Sequence, residues 1–114
     1  MTIIPLHEVR DAAKRDALMA SMTKVGWQGR PILAVRQADG ALMAITGSHR
    51  IDAARRVGVT PDVLIIDDVT MSDGTELSVA LDACRDDDDR LRVLREADAD
   101  EDAVALMAAE IEAE

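Results

Sequence analysis

The sequence predicts a single α+β domain, with short strands in its first half and helices in its second. Up to residue 67, apolar runs of four or five residues alternate with patterns of helical spacing. Beyond residue 69 the apolar residues recur only at helical spacing. At 114 residues the chain is long enough for one hydrophobic core but not for two.

Charge is distributed unevenly along the chain, whose net charge is −10. Residues 1–69 carry nine Lys and Arg against eight Asp and Glu, whereas residues 70–114 carry four against fifteen. The first half therefore suits a small anionic ligand, while the second half would be repelled by DNA phosphates. We expect an acidic helical extension at 70–114, packed on a domain at 1–69, and no direct binding of duplex DNA.

Cysteine content and hydropathy predict a cytoplasmic protein. A single cysteine, Cys84, cannot form an internal disulfide, which favours a reducing compartment. No basic segment followed by an apolar stretch opens the sequence, and no run approaches the ~20 apolar residues that a membrane span needs. We therefore expect no membrane partner.

Element boundaries in residues 1–69 follow from proline, glycine and capping residues. Pro5 lacks a backbone N–H, which predicts an edge strand for the first apolar run. Asp11 can cap the first helix, and the pair Asp39-Gly40 predicts a hairpin between two antiparallel strands. The unbroken run Val63–Ile66 is typical of a strand buried on both faces. The predicted elements are strands at 3–6, 32–36, 42–46 and 62–67 and helices at 11–25 and 48–57.

Residues 70–114 are predicted to form three helices, at 76–84, at about 87–97 and from about residue 100. In the last helix an apolar stripe recurs at i, i+3, i+4 and i+7; it consists of Val104, Met107, Ala108 and Ile111. This stripe is expected to pack on the body of the domain or on a partner, either another protein or a second copy of the chain. The run Asp86–Asp89 is interpreted as an acidic helix start and not as a metal site.

The segment 44–58 is predicted to connect a strand to a helix through a tight turn. Gly47 permits the turn because it has no Cβ, and the Ser48 hydroxyl is suited to N-cap the helix. His49 and Arg50 then fall in the first helical turn, where free N–H groups and the helix dipole attract anions. Arg50 adds a forked donor suited to phosphate. We interpret the turn as a phosphate-binding corner; the alternative is an ordinary helix start, with His49 as a surface or capping residue.

Two further residues are candidates for the same site. Glu8 follows the first strand and is a candidate base or metal ligand, with a solvated surface position as the alternative. Trp27 either covers the aliphatic core or offers a stacking surface for a ligand. The sequence contains no GxxxxGK[ST] motif, which argues against a P-loop protein.

Three segments in order, 18–26, 31–36 and 47–54, resemble the N-terminal domain of ParB-type partition proteins and the related sulfiredoxins. The resemblance covers about residues 2–67 and implies a small mixed β-sheet flanked by helices. It also implies a nucleoside triphosphate, CTP or ATP, bound with Mg²⁺. The implied nucleotide contacts are Arg30, Thr46, Gly47, Ser48, His49 and Arg50. Glu8 and His49 are the implied catalytic residues if the nucleotide is hydrolysed.

The motif also departs from both families. Ser48 stands where sulfiredoxin has its nucleophilic cysteine, which excludes that thiol chemistry. His49-Arg50 replaces the Arg-Arg pair of the partition proteins, and the glutamate before that pair is missing. A small phosphotransferase or nuclease that uses Glu8, and a non-catalytic acidic interaction module, are the alternative functions.

Overall fold

The computed structural model describes residues 3–5, 11–27 and 29–112. In chain order its elements are β1 (Ile3–Pro5), α1 (Ala12–Val25), β2 (Ile32–Arg36), β3 (Leu42–Ala44), α2 (Ser48–Val57), β4 (Val63–Asp67), α3 (Leu77–Asp82), α4 (Asp87–Glu96) and α5 (Glu101–Glu112). The α+β class is confirmed, and the strands form one mixed sheet.

The four strands lie in the order β1-β3-β2-β4. β2 and β3 form the predicted antiparallel hairpin, with Ala34 opposite Ala44. β1 runs parallel to β3 and β4 runs parallel to β2. β1 is at the edge of the sheet, as Pro5 predicted.

Helices cover both faces of the sheet. Along β2 the side chains alternate between faces, so that Ile32 and Ala34 pack with Ile51 of α2, while Leu33 and Val35 pack with the C-terminal helices. All four of these strand residues are fully buried. The acidic segment thus supplies one complete layer of the core, through α3, α4 and α5.

Of the two predictions about burial, the one for β4 is wrong and the one for α5 is confirmed. β4 is not a central strand: it lies at the second edge of the sheet, and of its apolar residues only Ile66 is buried. The predicted packing of α5 on the body of the domain is confirmed, since Met107 is buried and Val104 and Ile111 pack against the same core cluster. The inward face is wider than the predicted stripe, because it also includes the buried residues Ala103 and Leu106.

Two helices, α1 and α4, begin at the N-cap residues that the sequence indicated. The Asp11 carboxylate accepts a hydrogen bond from the Lys14 N–H at 3.0 Å and caps α1. Asp86 caps α4 in the same way, accepting from the Asp89 N–H at 2.8 Å. The acidic run therefore begins a helix, where negative charge favours the dipole.

No helix in the described ranges is both long enough and apolar enough to cross a bilayer.

Candidate anion-binding site at the start of helix α2

The β2–β3 hairpin brings the chain before β2 next to the chain after β3. Because the two strands are antiparallel, the segment that enters β2 at Ile32 faces the segment that leaves β3 after Ala44. The Thr46 hydroxyl fixes this meeting point by accepting a hydrogen bond from the Leu33 N–H at 3.1 Å. Thr46 is buried. Its hydroxyl, predicted to contact a nucleotide, therefore already has a partner in the backbone.

Gly47 makes the turn into α2. Its φ and ψ of 74° and 34° lie in the left-handed region, which favours glycine. A Cβ at this position would lie 3.2 Å from Cγ1 of Ile32, so the turn packs closely on the sheet. The prediction that Ser48 is the N-cap is wrong, because Gly47 occupies that position and Ser48 is the first helical residue. The range of the helix agrees with the predicted 48–57, and its N-cap lies one residue earlier than predicted.

The Arg50 guanidinium lies over Trp27, with its Cζ 4.3 Å from the centre of the ring. Nη2 of Arg50 donates a hydrogen bond to the carbonyl oxygen of Arg30. These contacts orient the guanidinium across the space between the loop before β2 and the first turn of α2. Trp27 therefore serves as a platform for a charged side chain, in addition to packing against the core around Ile51.

Two arginines converge on a single carboxylate oxygen. Nε of Arg30 donates to Oε1 of Glu110 at 3.2 Å, and Nη1 of Arg50 lies 3.7 Å from the same oxygen. The side chains of Arg50 and Glu110 are 17% and 18% exposed, so this ion pair is partly shielded from water. The carboxylate that pairs with both arginines is supplied by the last turn of α5.

The electrostatic balance at Arg50 reflects this arrangement. Burial lowers the pKa of Arg50 from its ordinary value, and the nearby charge of Arg30 acts in the same direction. The carboxylates of Glu110 and Asp62 oppose that fall in the pKa. A guanidinium keeps its proton throughout the neutral range, so the corner remains cationic.

His49 lies beside the start of another helix. Its Nε2 accepts a hydrogen bond from the backbone N–H of Asp11, the N-cap of α1, at 3.3 Å. This contact agrees with the capping role that was the alternative to catalysis for His49.

The remaining predicted site residues are placed only in part. Glu8, the candidate base or metal ligand, lies outside the described residues. Within the described part of the chain, no group of three or more His, Cys, Asp and Glu residues is arranged to hold a metal ion.

Sequence reasoning missed Glu110. The prediction placed the inward face of the last helix at Val104, Met107, Ala108 and Ile111, and that face does not include Glu110. The observed face begins at Ala103 and passes through Leu106 and Met107, and one further turn leads to Glu110. A helix whose last turn carries glutamates and no basic residue was the available signal.

Comparison of the chain with protein-family models, with curated proteins and with solved structures finds no match.

Proposed function

We propose that this protein binds a nucleoside triphosphate, with its phosphates at the turn from Gly47 to Arg50, in a ParB/sulfiredoxin-like fold. One observation carries the proposal: Arg30 and Arg50 converge on a single carboxylate oxygen beside the first turn of α2. Arginine recognises carboxylate and phosphate oxygens with the same donor geometry. The Glu110 carboxylate thus occupies a position that suits a phosphate oxygen.

The backbone around the arginines supports a phosphate at this position. Helix α2 has ten residues, and the first N–H groups of an α-helix have no partner within the helix and carry a partial positive charge. The donors of the helix start, together with two permanent positive charges, match the several negative oxygens of a triphosphate better than they match one carboxylate.

The two arginines fit the phosphates of a Mg²⁺–nucleotide complex. Arg30 would contact the phosphates from the loop before β2, and Arg50 would contact them from the first turn of α2. Bound Mg²⁺ would neutralise part of the phosphate charge and polarise the terminal phosphoryl group. Glu8 and His49 are the proposed bases if that group is transferred to water or to another acceptor. CTP and ATP are the proposed nucleotides, from the resemblance of residues 2–67 to the two families.

A non-catalytic interaction module is the second candidate, and the Glu110 contact itself favours it. In that case the Arg30–Glu110 pair has a purely structural role. The acidic helices would then present their carboxylates to a partner. The two candidates differ in whether the corner accepts an external anion.

Calorimetric titration with the Mg²⁺ complexes of CTP, ATP, GTP and UTP tests the proposal. Arg50→Ala should weaken the affinity about ten- to a hundredfold, because charge-assisted hydrogen bonds contribute about 1.5–3 kcal/mol each and ~1.4 kcal/mol is a factor of ten. Arg50→Lys keeps the charge but loses the fork, so its affinity should lie between those of the wild type and Arg50→Ala.

Arg92→Ala is the matched control. Arg92 is an exposed residue of α4 that pairs with Glu96 and Asp89 on its own helix. Its loss should leave nucleotide affinity within about twofold of the wild type, since exposed ion pairs contribute little. Equal affinities for the wild type and a folded Arg50→Ala variant would exclude this corner as the phosphate site.

A further inference from the structure

The end of α5 is held over the arginine pair by the helix's own geometry. Ala103, Leu106 and Met107 anchor one face of α5 in the core. Glu110 follows Met107 by three residues and so continues the same face of the helix. The carboxylate therefore reaches Arg30 and Arg50 without any irregularity in the helix.

This last turn is electrostatically unfavourable by itself. The C-terminal end of a helix carries a partial negative charge that is stabilised by cations and destabilised by acids. The last turn of α5 contains Glu110 and Glu112 and no basic residue. The described positive charges that compensate Glu110 belong to Arg30 and Arg50, in other parts of the chain. Ile111 packs this turn against the core cluster, and the charge of Glu110 is compensated by the same two side chains that form the anion site.

We propose that the last turn of α5 is an intramolecular latch, in which Glu110 competes with a phosphate ligand for Arg30 and Arg50. An incoming phosphate displaces the carboxylate and loosens the turn. By thermodynamic linkage, the factor by which bound phosphate weakens the Glu110 contact is also the factor by which the Glu110 contact weakens phosphate binding. This inference rests on the proposed function, because competition requires an external anion at the corner.

The competition has a defined chemical selectivity. A single carboxylate presents one charge to the two arginines, so a ligand with one weak negative charge gains little by replacing it. A polyphosphate brings several charged oxygens and also reaches the N–H groups at the start of α2. The corner therefore favours triphosphates over monophosphates and over small carboxylates, while displacement of Glu110 lowers the affinity of every such ligand by the same factor.

Glu110→Gln tests the latch and keeps the size and shape of the side chain. The probes are inorganic tripolyphosphate and Mg²⁺–CTP, titrated into the 114-residue chain. We expect Glu110→Gln to bind both probes about three- to tenfold more tightly than the wild type, the range set by the loss of two partly exposed ion pairs. Glu112→Gln is the matched control. It makes the same change of charge in the same helical turn, at an exposed residue, and should alter the affinity by less than about twofold.

The outcomes separate the latch from the proposed function. If the wild type and both variants bind the probes, and Glu110→Gln binds them no more tightly than Glu112→Gln, the latch is overturned and the phosphate site is not. If neither probe binds to the wild type or to either variant, the proposed function is overturned, and the latch with it.

Amide hydrogen exchange gives an independent readout of the displaced turn. Saturating tripolyphosphate should accelerate exchange at residues 108–112 of the wild type, because the ligand releases Glu110. Exchange at the buried centre of α5, at Leu106 and Met107, should stay unchanged. Unchanged or slower exchange at residues 108–112 in the ligand-bound wild type contradicts the latch.

Discussion

Oε1 of Glu110 lies 3.2 Å from Nε of Arg30, although the two residues are 80 positions apart in the sequence. The contact joins the acidic C-terminal segment to the loop that enters the central strand of the sheet. It is accompanied by a shared hydrophobic core, in which Leu33 and Val35 of β2 cluster with Leu106 and Met107 of α5. The acidic helices therefore stabilise the sheet, in addition to carrying most of the negative charge of the protein.

Met107→Ala should lower the free energy of unfolding by about 2–5 kcal/mol, because truncation of a fully buried methionine leaves a cavity. Urea denaturation followed by circular dichroism measures this change. Deletion of residues 99–114 removes the whole of α5 and should lower the melting temperature further or change the oligomeric state.

Val79→Ala is the control for Met107→Ala. Val79 lies on α3 and is 55% exposed, so its truncation should change stability by no more than about 0.5 kcal/mol. A similar loss of stability for Val79→Ala and Met107→Ala would contradict the placement of α5 in the core.

Gly47→Ala should destabilise the protein by more than Gly58→Ala, as measured by thermal unfolding. The two glycines cap the two ends of α2 and have nearly the same φ, 74° and 75°. Both variants pay about 1–2 kcal/mol for placing a Cβ in the left-handed region. At Gly47 the new methyl group also lies 3.2 Å from Cγ1 of Ile32, whereas at Gly58 it meets no atom within 4 Å.

The difference between these two variants isolates the packing of the turn on the sheet. Equal destabilisation would mean that Ile32 moves aside at no cost, and that the corner is looser than its geometry indicates.

Duplex DNA should not bind at ~0.15 M salt. Protein–DNA affinity depends on cations that neutralise phosphates, whereas residues 70–114 of this chain carry fifteen acidic and four basic side chains. A mobility-shift assay with a mixed-sequence duplex measures this. Sub-micromolar binding that weakens steeply with added salt would show that the front half of the chain presents a sufficient basic surface.

Local signals predicted the elements of the sheet well. Pro5 predicted the edge strand, and the Asp39-Gly40 pair predicted the hairpin between β2 and β3. Asp11 predicted the start of α1. Each of these signals acts within a few residues of the feature it specifies. The position of β4 could not be predicted in the same way, because a continuous apolar run is compatible with a central strand and with an edge strand covered by helices.

The candidate site was predictable to the extent that it is local. The turn at Gly47 and the arginine in the first helical turn both follow from a short segment of sequence, although the N-cap is one residue earlier than expected. The Glu110 contact depends on the rotation of α5 about its axis, which tertiary packing determines. Apolar periodicity predicted that Met107 faces inward, but it did not predict that the inward face extends to Ala103 and Leu106, which places Glu110 toward the arginines.

Stacking of Arg50 on Trp27 has a practical consequence for measurement. Trp27 is the sole aromatic residue of the chain, so the intrinsic ultraviolet fluorescence of the protein originates at one indole ring in contact with the proposed phosphate-binding arginine. A ligand that reorients this guanidinium changes the emission of that ring directly. The protein thus carries its own optical reporter, and occupancy of the corner can be followed without a dye or a label.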